Sequence, residues 1–186
     1  MEDYFKIIKN QIDALHNNSN ELNQIVELLR EKIANGNNIW IIGNGGSAST
    51  SDHFETDLNF IKNYDNQVSI RAQSLTSNLS LITAIANDIG YEKIFSHQLM
   101  RKAKVGDLIF IISASGNSQN LIHATLFAKA NNLDTFALLG FDGGHLIKLV
   151  DNYLLIKTEI GFYGQVEDIQ LSICHAVASE LKKRLF

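Results

Sequence analysis

Two imidazoles and two carboxylates stand at helical spacings in this chain. His53 and Asp57 are four residues apart, and Glu167 and His175 are eight apart, a step of about 80° around a helix of 3.6 residues per turn. Each pair therefore shares one face of its segment. Such a set suits zinc or another divalent transition metal, and it equally suits general acid and base work. Taken one pair at a time, the same spacing also describes a solvated helix face.

Two further segments carry small and polar residues where a ligand could approach the backbone. Gly43-Asn44-Gly45-Gly46-Ser47 is a glycine-rich turn at the start of a predicted helix. Gly43, Gly45 and Ala48 also meet the loose dinucleotide fingerprint, which wants an acid about 20 residues on; the stretch Val68 to Ser74 has none, so a dinucleotide is disfavoured. Ser113-Ala114-Ser115-Gly116-Asn117-Ser118 offers three hydroxyls and the backbone N–H groups of a helix start, a cradle for a phosphate monoester. It lacks the lysine of a triphosphate loop. The plainer alternative is that Ser118 only caps the helix.

The elements that must hold these residues follow from periodicity. Apolar residues at Ile8, Ile12, Leu15, Leu22, Val26, Leu29 and Ile33 predict a helical hairpin or one broken helix, with Asn18 and Glu21 as a capping box between the pieces. That stripe packs either against another subunit or into the chain's own core. From Asn38 onward, short apolar runs alternate with amphipathic stretches. The strands are expected at Ile39 to Ile42, Val68 to Ala72, Leu108 to Ile112, Thr135 to Leu139 and Tyr153 to Ile156, and the last helix from about Gln165 to Leu185. Continuous apolar strands separated by helices predict an α/β fold, a doubly wound five-stranded parallel sheet flanked by helices, with an N-terminal helical extension. The chain reads as one domain, with residues 1–36 as a helical oligomerisation segment and 37–186 as the α/β core.

Composition narrows the function classes. The chain has 186 residues, enough for one core without disulfides, and its single cysteine, Cys174, excludes intrachain disulfides and a cysteine-based zinc finger. Sixteen basic against twenty acidic residues, with no polybasic run, argue against nucleic acid as a direct ligand. No apolar run approaches the length of a membrane span, and the acidic start Met1-Glu2-Asp3 is unlike a signal peptide, so a cytoplasmic location is expected.

In order along the chain, Gly43 to Ser47 with His53 nine after Asn44, Leu75-Thr76, Asn87-Asp88 followed by Gly90, Ser113 to Ser118, and a last helix bearing His175 resemble the SIS (sugar isomerase) domains. Within them they resemble the phosphoheptose isomerases, which interconvert sedoheptulose 7-phosphate and D-glycero-D-manno-heptose 7-phosphate. The resemblance implies a phosphosugar aldose-ketose isomerase acting through an enediol. Ser113, Ser115 and Ser118 would hold the phosphate, and Asn44, Gly45, Gly46, Asn87, Asp88, Ala114 and Glu167 would contact the substrate. It implies Asp57 and His175 as the proton-transfer pair and His53, Asp57, Glu167 and His175 as ligands of zinc or another divalent metal, with no organic cofactor. It also implies a homotetramer with a pocket shared between subunits. Two positions depart from the family, which usually has Glu at position 57 and Gln at 167, and the approach Gly161 to Gln165 differs as well. Those departures keep two rivals open: an isomerase of another phosphosugar, and a catalytically silent scaffold like the replication-initiator-associating protein of the same subfamily.

Overall fold

The structure is a computed structural model that describes residues 2–17, 19–61 and 69–186. Two helices, α1 (Glu2–Asn17) and α2 (Ser19–Ala34), precede the sheet. Asn18 of the expected capping box lies outside the described residues. The α/β part runs β1 (Ile39–Gly43), α3 (Gly46–Asn59), β2 (Ala72–Ser74), α4 (Leu79–Asp88), α5 (Ser96–Lys102), β3 (Leu108–Ser113), α6 (Gln119–Ala130), β4 (Asp134–Gly140), β5 (Asn152–Ile156) and α7 (Tyr163–Leu185). Between β4 and β5 the chain makes a single 3-10 turn at Leu146–Lys148.

All neighbouring strands are parallel, in the order β2-β1-β3-β4-β5. The chain begins in the interior at β1, steps outward to β2, then crosses to β3 and proceeds to the other edge. The direction of winding thus reverses between β1 and β3, and a crevice opens beyond their carboxyl ends. Gly43 to Ser47 and Ser113 to Ser118 lie at those two ends.

Strand residues alternate between two cores, as a pleated strand requires. Ile39, Ile41, Leu108, Phe110 and Ile112 pack on one face with residues of α2, α3 and α7. Trp40, Ile42, Ile109 and Ile111 pack on the other with residues of α4, α5 and α6. On the first face Phe110 sits between Phe54 and Phe136, with ring centroids 5.1 and 5.2 Å away. The N-terminal stripe divides: Val26, Leu29 and Ile33 of α2 are buried in the chain's own core, Ile8 and Leu15 of α1 are partly covered, and Ile12 is exposed.

The second strand corrects the expectation of Val68 to Ala72. Residue 68 lies outside the described residues, and the strand is Ala72–Ser74, paired with Ile39–Ile41. Its polar Gln73 and Ser74 resemble loop residues, but side chains of α3 hold this edge. Asn59 donates to the Ala72 carbonyl and accepts from its N–H, and Glu55 accepts from the Ser74 N–H at 2.9 Å. These bonds cover an otherwise open sheet edge.

Candidate functional site

The serine loop between β3 and α6 is tied to itself by its own hydroxyls. Ser113 Oγ accepts from the Gly116 N–H at 3.0 Å, and Ser115 Oγ accepts from the Asn117 N–H at 3.3 Å. A hydroxyl that accepts from backbone keeps its own proton to donate, so both serines are set to present O–H groups. Ser118 is the residue before α6, but its side chain makes no capping bond. The simple capping role is therefore not what Ser118 does here. Ala114 is buried in the core, which leaves only its backbone for a ligand.

A second loop buttresses this one. Asn117 Oδ1 accepts from the His145 N–H at 3.0 Å and pairs with His145 Nδ1 at 2.6 Å, while the Gly116 carbonyl accepts from the Leu146 N–H. Gly116 has φ +62°, and a Cβ there would press into the carbonyl of Gly143. Only glycine allows the two backbones to approach this closely.

The glycine turn lies one strand away. Gly45 has φ +56° and precedes α3, which has no side-chain cap. Asn44 reaches across to α6 and exchanges two hydrogen bonds with Asn120, at 2.9 and 2.8 Å, and its Oδ1 also accepts from the Tyr91 hydroxyl at 3.1 Å. Asn87 and Asp88, at the end of α4, are exposed and hydrogen-bonded to each other at 2.7 Å, just before Tyr91. The Tyr91 bond brings this segment over the turn.

Three of the four ionisable residues converge. His53 Nε2 and His175 Nε2 are 3.0 Å apart, and each lies 3.6 Å from one oxygen of Asp57. Asp57 Oδ2 is buried without a hydrogen-bond partner. Donors about 2.1 Å from one tetrahedral ion stand about 3.4 Å apart, so these spacings and this unsatisfied oxygen fit a zinc-like cation. Among the described residues, this is the cluster of His, Cys, Asp and Glu donors close enough to share an ion. The adjacent Cys174 is no rival nucleophile, because burial, aided by Asp57, pushes its thiol far above the ordinary range.

Glu167 does not join this cluster, contrary to the four-ligand expectation. Its carboxylate lies against Gly46 at the start of α3, where any side chain at position 46 would collide with it. The physical reason is helical rise: eight residues span about 12 Å along α7, so sharing a face with His175 does not bring Glu167 to the same level. Burial holds the Glu167 carboxyl above the usual carboxylate range, and the neighbouring Asp168 adds to this. A carboxyl raised in the folded chain keeps its proton to higher pH than in the unfolded chain. Ionising it above that pH costs stability, and the cost vanishes below the ordinary carboxylate range. Glu167→Gln should accordingly raise the melting temperature near neutral pH, with the gain fading on acidification. Paired melting curves from about pH 4 to 8 check this, and a gain constant across that range would contradict it.

Asn120 and Tyr91 escaped sequence reasoning. A signal for Asn120 existed, since it lies on the stripe of α6 that continues through buried Ala124 and Ala128, where a polar side chain needs a partner. Tyr91 carries no comparable signal.

The family described as SIS domain matches residues 3–140 of this chain. The chain is 34% identical to the phosphoheptose isomerase of Sulfurimonas denitrificans, covering 97% of this chain and 96% of that protein. It is 36% identical to the phosphoheptose isomerase of Geotalea daltonii, over 87% of this chain and 83% of the other. Among solved structures, the phosphoheptose isomerase of Neisseria gonorrhoeae superimposes with a TM-score of 0.86 at 26% identity, over 98% of this chain and 94% of that one.

Proposed function

Because the chain belongs to the SIS domain family, we propose that it is a phosphoheptose isomerase, converting sedoheptulose 7-phosphate to D-glycero-D-manno-heptose 7-phosphate. The observation that carries this reading is the convergence of His53, Asp57 and His175 from two helices distant in sequence. A scaffold has no use for an unsatisfied buried carboxylate oxygen between two imidazoles, whereas an isomerase needs a base, an acid and a stabiliser of an oxyanion.

In this reading the phosphate is held by the hydroxyls of Ser113, Ser115 and Ser118 and by the N-terminus of α6. Asn44, Gly45 and Gly46 line the sugar, with Asn87 and Asp88 at its margin and Glu167 beside Gly46. Asp57 takes the proton from C1 of the ketose, the enediol forms, and a proton returns to C2. His175 moves the accompanying proton between the two oxygens. Were a divalent ion held by His53, Asp57 and His175, it would polarise the carbonyl in place of the His175 proton transfer, because a ring nitrogen that binds an ion carries no proton.

Within one chain, His53 and Asp57 lie about 10 to 16 Å along α3 from Gly46, and both imidazoles are half exposed. This separation supports a pocket completed by a second subunit. The partly covered α1 stripe supports the same homotetramer, which light scattering on the purified protein tests; a monomer at micromolar concentration would contradict it. Among the described residues no helix is long and apolar enough to cross a membrane. Its one free, buried thiol is compatible with the cytoplasm as its compartment.

Replacing Ser115 and Ser118 by Ala should raise KM for the phosphosugar tenfold or more, at about 1.5 to 3 kcal/mol per hydrogen bond lost to a charged group. Steady-state kinetics check this, and an unchanged KM would remove the loop from the site. The substrate itself is tested by comparing turnover of seven-, six- and five-carbon ketose phosphates. Preference for the seven-carbon compound is expected, and preference for a shorter one would reassign the substrate within the same chemistry.

A further inference from the structure

The hydrogen bonds around Asn44 have a fixed direction. The Leu121 N–H can only donate, and it meets the Asn120 side chain at 2.9 Å, so the Asn120 atom facing it is the oxygen. Asn120 Nδ2 must then be the group that donates to Asn44, and the Asn44 atom receiving that bond must be its own oxygen. Asn44 Oδ1 also accepts from the Tyr91 hydroxyl. Both lone pairs of that oxygen are therefore engaged, while Asn44 Nδ2 spends one of its two hydrogens on Asn120 Oδ1. What Asn44 has left for a ligand is one N–H.

We propose that Asn120 and Tyr91 are positioning residues that lock Asn44 as a donor-only contact, aimed at a carbonyl or negatively charged oxygen of the substrate. This deepens the isomerase reading and rests on it. Asn120 is 2% exposed and sits at the start of α6, directly after the phosphate loop, whereas Asn44 stands at the end of β1. The amide pair therefore spans the crevice between β1 and β3 and fixes the polarity of one wall relative to the other. A locked donor needs no reorientation when charge develops on the substrate, which is what makes a preorganised dipole effective in stabilising an oxyanion. An unlocked Asn44 would turn its oxygen toward that charge for part of the time.

The test is a set of double-mutant cycles on the full-length protein, reading kcat and KM for sedoheptulose 7-phosphate. Asn120→Leu, which keeps the volume and removes both bonds, should lower activity tenfold or more in the native background. Tyr91→Phe, which frees only one lone pair, should cost a few-fold. A loss in kcat identifies the reacting oxygen as the partner of Asn44, and a loss in KM identifies the phosphate; both support the lock. In an Asn44→Ala background, both substitutions should be silent within about twofold, since they act through Asn44. Losses that persist in that background would overturn the inference and leave Asn120 a packing residue, and so would unchanged kinetics of Asn120→Leu in the native background. If the unsubstituted chain turns over no phosphosugar, the isomerase reading fails and this inference falls with it. Turnover with insensitive variants contradicts the inference alone.

Discussion

His175→Ala is expected to abolish most turnover, lowering kcat by about 10³-fold, while leaving the fold intact. Positioned proton transfer contributes about 10² to 10⁴ in rate, and His175 is one of three side chains that meet at the cluster. Its imidazole is half exposed, so its removal creates no cavity and should change stability by only about 0.5 kcal/mol. Asp57→Asn should be as damaging. It keeps the size but removes the charge opposite both imidazoles and weakens any cation they share. Asp57→Glu restores the residue usual in the family and should retain the cluster. Its rate should change because moving a base by about an ångström can cost about 100-fold. Steady-state kinetics beside melting curves check these outcomes; a His175→Ala protein within tenfold of the native kcat would remove the cluster from the chemistry.

The second large effect falls on backbone. Gly116→Ala should lower the melting temperature by roughly 5 to 15 °C and raise KM for the phosphosugar at least tenfold. Holding alanine at φ +62° costs about 1 to 2 kcal/mol. The added methyl also drives into the Gly143 carbonyl, a backbone group that can retreat only by moving the loop that buttresses the serines. Together these amount to about 2 to 4 kcal/mol. Gly36→Ala is the control. Its φ is +69°, but nothing lies within 4 Å of the new methyl, so it should show the strain alone and leave KM unchanged. Equal effects on melting and KM at both glycines would mean that the contact with Gly143 is unimportant.

Much of the architecture is visible in residue patterning because buried parallel strands demand it. Ile39 to Ile42, Leu108 to Ile112 and Phe136 to Leu139 are continuous apolar runs, since both faces of each strand are covered. The edge strand Ala72–Ser74 is not visible in this way. Its polar residues are held by Asn59 and Glu55, partners at least 13 residues away that no local pattern reveals. The site divides similarly. Glycines and serines at strand ends mark the crevice, and a helical face groups His53 with Asp57. Periodicity gives the angle around a helix but not which neighbouring helix stands at which height, so it could not separate Glu167, level with Gly46, from His175, level with His53. The Asn44, Asn120 and Tyr91 network depends on three segments meeting, and only tertiary structure brings them together.

The most direct measurement is solvent exchange at the reacting carbons. The purified protein is incubated with sedoheptulose 7-phosphate in deuterium oxide and followed by proton NMR and mass spectrometry. Transfer of a proton between C1 and C2 through an enediol predicts that the aldose heptose 7-phosphate appears. It also predicts deuterium at C2 of that product and at C1 of recovered ketose, both lost in His175→Ala. Neither aldose nor deuterium incorporation with the folded, zinc-supplemented protein would contradict the assignment of this chain as a phosphoheptose isomerase.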